Sequence, residues 1–353
     1  MAAYVEEPIM LDSTGQAMKT ALEGIKEQLE KQTEGTLPLT GGTLTGPLNA
    51  QNIYPDAGNL RTLGNAENPF LELFIKYINL GGTRLDGAGF HNSIYRGKNI
   101  TSYYTDGSLW DRLQGTGGYE LFEDLYVGDY FTTGSAAING TTKAWYWQIA
   151  GFDIRLGVKG VVKHHVVVVP CSADGTSTDY LFTSKMYSST PFTAGYFGSI
   201  ACQLMIAAQT VGTTAYSEGA IATGLKAIFG SHILPSKELL STVNDSSSYN
   251  RHDAGSGAST SWGWISCYAT LLSEVECYGS IVWTSSGYDG GMDSRGQLPL
   301  FRLNPSLINH TTSRLWLRSV TTGSLFAKVD SDGYADDGYA TGEWGLRPRF
   351  LIA

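Results

Sequence analysis

The sequence predicts an α+β protein, with a helix and an extended segment ahead of the main domain. Apolar patterning after residue 121 gives strands, then helices, then strands and loops, the order typical of α+β domains. The 43 glycines and 12 % aromatic residues favour short strands and turns over long helices. A heptad pattern in residues 11–32 predicts one helix before the domain.

That first helix carries a narrow apolar stripe. Met18, Leu22, Ile25 and Leu29 follow a four–three–four spacing, which is an a/d seam, and Glu and Lys fill its flanks. So short a helix is marginally stable alone. We therefore predict a parallel bundle of several chains. The alternative is a surface helix packed on its own domain.

The composition of the next segment predicts extended chain. Residues 36–49, TLPLTGGTLTGPLN, alternate Leu and Thr with Gly and Pro, which suits turns and extended backbone. Further on, Leu71, Leu73, Ile75 and Tyr77 alternate with Glu72, Phe74, Lys76 and Ile78. Such a strand has apolar residues on both faces, and burial between chains would cover them. This predicts a homotrimer with cyclic three-fold symmetry.

Two motifs in this segment resemble a known family. Residues 37–49, LPLTGGTLTGPLN, and the following Leu-Gly-Asn (63–65) and Asn-Pro-Phe (68–70) resemble a segment that recurs in bacteriophage tail-fibre and tail-spike proteins. In that family such segments intertwine as three chains around one axis. The resemblance covers residues 36–85. It implies a trimeric fibre whose N-terminus binds phage baseplate or tail proteins.

We divide the chain into four parts on these grounds. The parts are an attachment segment with coiled coil (1–35), a fibre-like β segment (36–90), a linker (91–120) and a C-terminal domain (121–353). The linker contains one short helix over residues 109–113. Ser108 is the predicted N-cap of this helix and Gly115 its end.

The C-terminal domain begins with strands. We predict strands at 126–131, 145–153 and 164–170, helices at 199–208, 220–229 and 233–240, and further strands within 262–278, 316–319, 324–329 and 344–352. The β-branched run at 164–170 predicts a strand buried on both faces. Pro235 lies in the first turn of the third helix, where proline is tolerated. Residues 330–342 are predicted to form a loop.

The end of the chain resembles a second family. Trp-Leu-Arg-Ser (316–319) and Gly-Leu-Arg-Pro (345–348), with Leu-Ser-Glu-Val-Glu (272–276) upstream, resemble C-type-lectin-like domains at the tips of some phage fibres and in related bacterial surface proteins. The resemblance extends over residues 121–353. It implies a scaffold that displays ligand-binding loops between the strands of its closing half. The calcium-binding tripeptides of sugar-binding C-type lectins, Glu-Pro-Asn and Trp-Asn-Asp, are absent.

Three loops combine tyrosine with polar residues. Tyrosine offers wide contact area at low entropic cost, an aromatic ring can stack on a sugar face, and Asp, Asn or Arg can bond its hydroxyls. A solvated loop is the alternative for each. The predicted receptor-binding residues are Tyr249, Asn250, Arg251, Tyr288, Asp289, Asp293, Arg295, Tyr334, Asp336, Asp337 and Tyr339.

Other polar groups receive structural interpretations. The aspartates of 330–337 fail the EF-hand spacing, because Gly333 comes too early and no Glu closes the loop. We therefore predict a solvated acidic turn without a metal, with a calcium site as the alternative. Arg318 and Arg347 lie in apolar strands and are predicted to bond carbonyls. The four cysteines are predicted to be buried free thiols, with a Cys267–Cys277 disulfide as the alternative.

Several function classes are disfavoured. A net charge of −9 argues against a nucleic-acid partner, and no stretch approaches a membrane span. We predict no enzyme and no cofactor. The chain lacks a G-x-S-x-G motif, and its paired histidines, His164 and His165, should point to opposite faces of a strand.

These observations and the two resemblances together predict a trimeric phage tail-fibre protein. It would attach the virion to a host cell-surface receptor, a glycan or a protein, through loops of its C-terminal domain. It would be made in the host cytoplasm and carried on the virion. The alternatives are a tip enzyme that degrades host surface polysaccharide and a bacterial surface adhesin.

Overall fold

A computed structural model describes residues 13–33, 77–80, 83–245, 258–284 and 296–353. The chain forms two compact units, Met1–Leu73 and Phe74–Ala353. In the first unit the described residues form helix α1, Ser13–Thr33, which confirms the predicted helix. The exposed fractions of Met18, Leu22 and Ile25 on this helix are 65 %, 62 % and 53 %. These three side chains of the seam are therefore exposed on the helix.

The second unit contains most of the secondary structure. Its strands are β1 (Tyr77–Leu80), β2 (Thr83–Asp86), β3 (Tyr130–Ile138), β4 (Thr141–Phe152), β5 (Val166–Pro170), β6 (Thr183–Ser184), β7 (Gln209–Val211), β8 (Thr214–Tyr216), β9 (Ile233–Leu234), β10 (Ser236–Asn244), β11 (Ser259–Cys267), β12 (Ala269–Leu271), β13 (Leu315–Val320), β14 (Leu325–Val329), β15 (Ala335–Tyr339), β16 (Trp344–Gly345) and β17 (Pro348–Ile352).

Short helices connect these strands. They are α2 (Gly87–His91), α3 (Thr101–Thr105), α4 (Ser108–Gln114), α5 (Ile200–Met205), α6 (Ala220–Phe229), α7 (Glu274–Tyr278) and α8 (Pro299–Leu303), with 3₁₀ turns at Gly230–His232 and Pro305–Leu307. The unit is thus mixed α+β, with more sheet than helix, as the sequence predicts.

The larger sheet has the strand order β12-β17-β5-β4-β3, and β9 also pairs with β17. All five residues of β5 are buried. This confirms the predicted strand buried on both faces, because successive residues of a strand point to opposite faces of the sheet. The two edges of β5 are paired with β4 and β17. Strand β17 is likewise buried throughout. The core of the unit therefore centres on these two strands.

The smaller sheet has the order β15-β14-β13-β16-β6. Strand β14 pairs antiparallel with β13 on one side and β15 on the other, so β15 is an edge strand. The prediction of a loop over residues 330–342 is therefore wrong for residues 335–339, which form β15. Aspartate and glycine have low strand propensity, but pairing with β14 decides the outcome here.

A long hairpin replaces the third predicted helix. Residues 233–240 belong to β9, which pairs with β17, and to β10, which pairs with β11 along its length. Glu238 and Leu240 are buried at two-residue spacing, which is a strand pattern. The helix prediction is wrong because the apolar spacing of so short a run fits a helix and a strand equally well. The strands with which these residues pair are distant in sequence and could not be recognised from it.

The stretch assigned to a linker, residues 91–120, is part of the second unit. Ile100, Leu109 and Leu113 have no exposed surface and lie in the hydrophobic core. The backbone of Ile100 also donates to the carbonyl of Tyr130 at the start of β3 (2.8 Å). The stretch therefore packs as an element of the compact unit that begins at Phe74.

Helix α4 in that stretch ends as predicted but begins differently. Gly115 follows it in the left-handed conformation, with φ of +64°. Gly107 occupies the N-cap position, and the Ser108 side chain makes no capping bond. Asp106 Oδ1 accepts from the backbone N–H of Ser108 instead (2.8 Å), so an aspartate one residue earlier satisfies the first turn.

The remaining elements lie close to their predicted positions. Helix α6 matches its prediction at both ends, whereas α5 covers only the middle of 199–208. The predicted strand at 126–131 begins only at Tyr130. The strands predicted in 262–278 are β11 and β12, and that segment ends in helix α7. Ser273 caps α7 in a full capping box with Glu276.

Five buried charged side chains form what we call the Arg–Glu cluster: Arg155, Glu238, Glu276, Arg318 and Arg349, each at most 4 % exposed. Arg349 Nη2 lies 2.8 Å from Glu238 Oε2, and its Nε lies 2.5 Å from Glu276 Oε1. Arg155 Nη2 lies 3.3 Å from Glu238. Burial alone would raise the pKa of Glu238, but attraction to Arg349 and Arg155 outweighs it and lowers that pKa strongly.

Candidate functional site

Four predicted receptor-binding residues lie in the described part of the chain. They are Tyr334, Asp336, Asp337 and Tyr339, which occupy edge strand β15 or the residue just before it. The other predicted contacts lie outside the described residues: Tyr249, Asn250, Arg251, Tyr288, Asp289, Asp293 and Arg295.

A tight turn leads into β15. Asp330 Oδ1 accepts from the backbone N–H groups of Asp332 and Tyr334, both at 2.9 Å. Gly333 has a φ of +92°, which side chains rarely adopt. The Asp330 carboxylate is therefore used to close the turn. Among the residues that the structure describes, no group of three or more His, Cys, Asp and Glu side chains could hold a metal ion.

The turn and the strand are anchored from outside the sheet. Tyr278 at the end of α7 donates through its hydroxyl to the carbonyl of Gly333 (3.2 Å). The Trp283 indole N–H donates to the carbonyl of Ala335 (2.9 Å), and the Asn309 amide donates to the carbonyl of Ser331 (2.7 Å). Three separate segments thus fix the position of this edge.

The anchoring segment at Trp283 is itself held by a buried carboxylate. Glu274, with no exposed surface, accepts from the backbone N–H groups of Val282 (3.3 Å), Trp283 (2.9 Å) and Thr284 (2.8 Å). One side chain therefore satisfies three consecutive backbone donors. Glu274 belongs to the family motif at residues 272–276, but nothing in the sequence around it indicates this role.

The backbone of the edge strand is largely satisfied. The carbonyl of Ala335 accepts from Trp283, and the carbonyl of Tyr339 accepts from the N–H of Gly342 (2.8 Å). Asp337 donates its N–H to Asp336 Oδ1 (2.7 Å), and its carbonyl accepts from Lys328 Nζ (2.5 Å). These bonds protect the edge against addition of another strand. The edge therefore presents side chains to solvent.

The two aspartates of β15 are engaged within the sheet. Asp336 forms an ion pair with the buried Lys328, its cross-strand partner. Burial alone would raise the pKa of Asp336, but the hydrogen bond from Lys328 outweighs it and the pKa is lowered. Asp337 Oδ2 lies 3.5 Å from the donating hydroxyl of Thr321. Both carboxylates thus have structural partners.

The tyrosines project into solvent. Tyr334 is 71 % exposed and Tyr339 is 65 % exposed, the highest values among the aromatic side chains of the described residues. The two rings are five residues apart on extended chain, about 17 Å, and an odd spacing directs them to opposite faces of the sheet. We call this pair of exposed rings at the two ends of β15 the tyrosine edge. It is defined by Tyr334 and Tyr339.

Trp344 supports this edge from behind. A Cβ at Gly338 would lie only 2.0 Å from Cη2 of Trp344, so the indole rests directly on the glycine backbone. The centroids of the Trp344 and Trp316 rings are 4.1 Å apart. Trp316 is fully buried and Trp344 is half-buried. The position of β15 therefore depends on the absence of a side chain at Gly338.

The predicted structural arginines are confirmed as such. Arg347 is 1 % exposed, and its Nη1 donates to Thr178 Oγ1 and to the carbonyl of Leu307, both at 3.0 Å. Arg318 is 4 % exposed and belongs to the Arg–Glu cluster. Each guanidinium joins segments far apart in sequence.

The cysteines and histidines form no reactive constellation in the described residues. All four cysteines are buried and free, as predicted, and burial raises the pKa of the Cys277 thiol to about 12. His164 Nδ1 lies 2.7 Å from Asp153 Oδ2, while His165 is fully buried.

A second surface feature was missed from the sequence. Trp264 on β11 is 38 % exposed, and the ammonium of Lys159 lies 4.9 Å from its ring centroid. The signal was present as Trp262-Gly263-Trp264, because residues two apart on a strand share a face.

Comparison of the chain with protein-family models, with curated proteins and with solved structures finds no significant match. In the described part of the chain, no helix has the length and apolar character needed to cross a membrane.

Proposed function

We propose that the protein is the homotrimeric receptor-binding protein of a phage tail fibre. Its α+β unit, with a C-type-lectin-like fold, contacts a receptor on the host cell surface. The observation that carries the proposal is the tyrosine edge, two highly exposed aromatic rings on an anchored strand whose backbone is closed. The resemblance of residues 36–85 to tail-fibre segments supports the same function.

The tyrosine edge suits binding for a physical reason. Ordering side chains on association costs about 0.5–1.5 kcal/mol for each rotamer-rich group, and a rigid supporting strand reduces the further cost of ordering backbone. Tyrosine adds a wide apolar face and a hydroxyl with few rotatable bonds. A glycan receptor fits this chemistry, because a ring stacks on the sugar face and hydroxyls exchange hydrogen bonds.

The α1 seam supports a multi-chain fibre. In the heptad, Leu22 and Leu29 take a positions, and Met18 and Ile25 take d positions. Leucine at a with isoleucine at d favours three or four strands over two. The exposure of Met18, Leu22 and Ile25 leaves this stripe available to other copies of the chain. Three copies would present three tyrosine edges and convert weak contacts into avidity.

Native mass spectrometry of the full chain tests the assembly. The wild type is expected to be a trimer, and Ile25→Asp to be a monomer, because a charge in the seam cannot be desolvated at low cost. Thr20 lies on the flank of α1, outside the apolar seam and four residues before Gly24. Thr20→Asp is therefore the matched control and is expected to stay trimeric. A monomeric wild type would overturn the trimer.

Adsorption of the protein to host cells tests the receptor contact. The double variant Tyr334→Ala/Tyr339→Ala is expected to lower apparent affinity about tenfold or more, the usual range for buried aromatic hot spots. Glu343→Ala, an exposed side chain just after β15, is the control and is expected to bind like the wild type. Unchanged adsorption by the tyrosine variant would refute this assignment. Shortening of host polysaccharide during the assay would instead indicate the enzyme alternative.

A further inference from the structure

The outer face of the β10–β11 hairpin carries an aromatic strip. Leu239 lies directly opposite Trp264, and Trp262 is two residues before Trp264 on the same face. The opposite face of the hairpin is buried through Glu238 and Ile265. The outer face is half-buried at Leu239 and Trp262 and exposed at Trp264. Indole rings turned toward solvent on a strand face indicate a contact surface.

Two lysines flank this aromatic strip. The ammonium of Lys159 lies 4.9 Å from the centroid of the Trp264 ring. Lys237 is exposed on the same face of the hairpin, and its carbonyl accepts from Arg155 Nη2 (2.7 Å). That bond fixes the segment leading to Lys159 beside the hairpin. We call Lys159, Lys237, Leu239, Trp262 and Trp264 the tryptophan–lysine strip.

The strip is basic in an acidic protein. The chain has a net charge of −9, yet residues 154–173 contain the exposed Lys159 and Lys163 and no Asp or Glu, while Arg155 is buried in the Arg–Glu cluster. The outward positions of the two hairpin strands near Trp264 also carry no carboxylate, since Glu238 points into the core and is held by the Arg–Glu cluster. A local positive patch of this kind favours a negatively charged ligand.

The backbone holds Lys159 in an unfavourable conformation. Its φ is +44°, in the left-handed region, and it lies between Gly157 and Gly160, which also have positive φ. The loop is closed by the N–H of Gly157 donating to the carbonyl of Val161 (2.8 Å). Strain at a non-glycine residue persists where the surroundings enforce it, and it concentrates at functional sites.

We propose that the tryptophan–lysine strip binds an anionic glycan, a sugar chain that carries carboxylate or phosphate groups. The indole of Trp264 packs against the apolar face of a sugar ring, and Trp262 and Leu239 extend this apolar surface along the chain. The ammonium groups of Lys159 and Lys237 bond the anionic groups. Four residues of the strip are on the hairpin and Lys159 lies beside it, whereas the tyrosine edge is on the smaller sheet. This site is therefore additional to the proposed receptor contact.

Titration of the full chain with oligogalacturonate, a uronic acid polymer, tests the proposal, with neutral dextran oligosaccharides as comparison and tryptophan fluorescence as readout. Oligogalacturonate is expected to bind and dextran to bind at least tenfold more weakly. Binding is expected to weaken with added salt, because exposed charges are screened. Trp264→Ala is expected to reduce affinity about tenfold, the scale of aromatic stacking and cation–π contacts. Calorimetry replaces fluorescence for that variant.

The lysine variants keep the test decisive if Trp264→Ala does not fold. Lys159→Gln and Lys237→Gln are each expected to lower affinity about two- to fivefold, the range of exposed ion pairs. Lys185→Gln, an exposed lysine paired with Glu343, is the charge-matched control and should bind like the wild type. The double variant Tyr334→Ala/Tyr339→Ala should also bind oligogalacturonate normally, which separates this site from the tyrosine edge.

Three results would overturn the proposal. Absence of binding by oligogalacturonate would do so, as would equal binding of dextran. Full affinity in the Lys159→Gln/Lys237→Gln double variant would show that the strip is not the site. A single-stranded oligonucleotide bound more tightly than oligogalacturonate would reassign the surface to a nucleic acid.

Discussion

Arg349 is the residue on which the Arg–Glu cluster depends most. It bonds both carboxylates at once, with Nη2 at 2.8 Å from Glu238 and Nε at 2.5 Å from Glu276. In Arg349→Met, Glu238 loses this bidentate partner and keeps Arg155 at 3.3 Å and the donating hydroxyl of Ser236 at 2.5 Å. Glu276 keeps Arg318 at 3.9 Å. Removing one partner of a buried pair costs about 3–5 kcal/mol. We expect a loss of this size in the free energy of unfolding.

Urea unfolding followed by tryptophan fluorescence measures this loss. The matched control is Lys143→Met, which removes a half-buried ion pair to Asp179 (2.7 Å) and should cost about 1 kcal/mol. The double variant Arg349→Met/Glu238→Gln should recover part of the stability, because the uncompensated charge is also removed. Equal losses for the two methionine variants would refute the reasoning.

The same variant should change the pH dependence of stability. The lowered pKa of Glu238 means that the unfolded chain binds more protons between that pKa and the ordinary glutamate value of 4.5. The stabilising contribution is present above the ordinary value and is lost as pH falls through the lower one. In Arg349→Met the pKa of Glu238 should rise, and the acid-side slope should flatten. An unchanged slope would contradict the charge assignment.

Three further predictions concern local packing. Gly338→Ala should lower the free energy of unfolding by about 1–3 kcal/mol, because its Cβ would lie 2.0 Å from Trp344. Gly263→Ala is the control, and its Cβ would lie 3.3 Å from the nearest atom. This control should lose less than about 1 kcal/mol in the same unfolding assay. Glu274→Gln should lower the free energy of unfolding by about 1–3 kcal/mol, because the backbone N–H groups that donate to Glu274 lose a charged acceptor. Glu343→Gln changes an exposed side chain and should stay within about 0.5 kcal/mol of the wild type. Equal melting temperatures of the two variants would contradict this role of Glu274. The four buried cysteines should react with Ellman's reagent only after unfolding, so rapid reaction of the native protein would contradict their burial.

The sequence predicts well those elements whose signal is local. The sequence predicts both ends of helix α6 because its apolar residues recur at helical spacing over ten residues. Strand β5 was placed because a β-branched run of that length fits a strand buried on both faces. Each of these patterns can be read without knowing what the segment touches.

The failures share a dependence on distant partners. Residues 233–240 look helical alone, but they pair with β11 and β17. Residues 335–339 look like a loop, yet pairing with β14 and the ion pair between Lys328 and Asp336 make them a strand. The stretch at 91–120 gave no sign of its burial, since Leu109 and Leu113 become core residues only through tertiary packing.

The candidate site was predicted only in part. Tyr334 and Tyr339 were identified from residue type, because an exposed tyrosine in a polar stretch is recognisable as a contact residue. Asp336 was assigned to the same surface, but the sequence could not show that Lys328 lies opposite it. The anchors Trp283 and Glu274 act through backbone groups, for which side-chain patterns give no signal.

The central position of β17 has a consequence for the order of folding. This strand, Pro348–Ile352, lies between β12 and β5 and also pairs with β9, so the middle of the larger sheet is absent until residue 352 has left the ribosome. Pairings so distant in sequence form slowly, and the incomplete sheet exposes the edge of β5 meanwhile. Insertion of β17 is therefore the step that completes the larger sheet. Chaperones that mask open strand edges should bind the nascent chain until then.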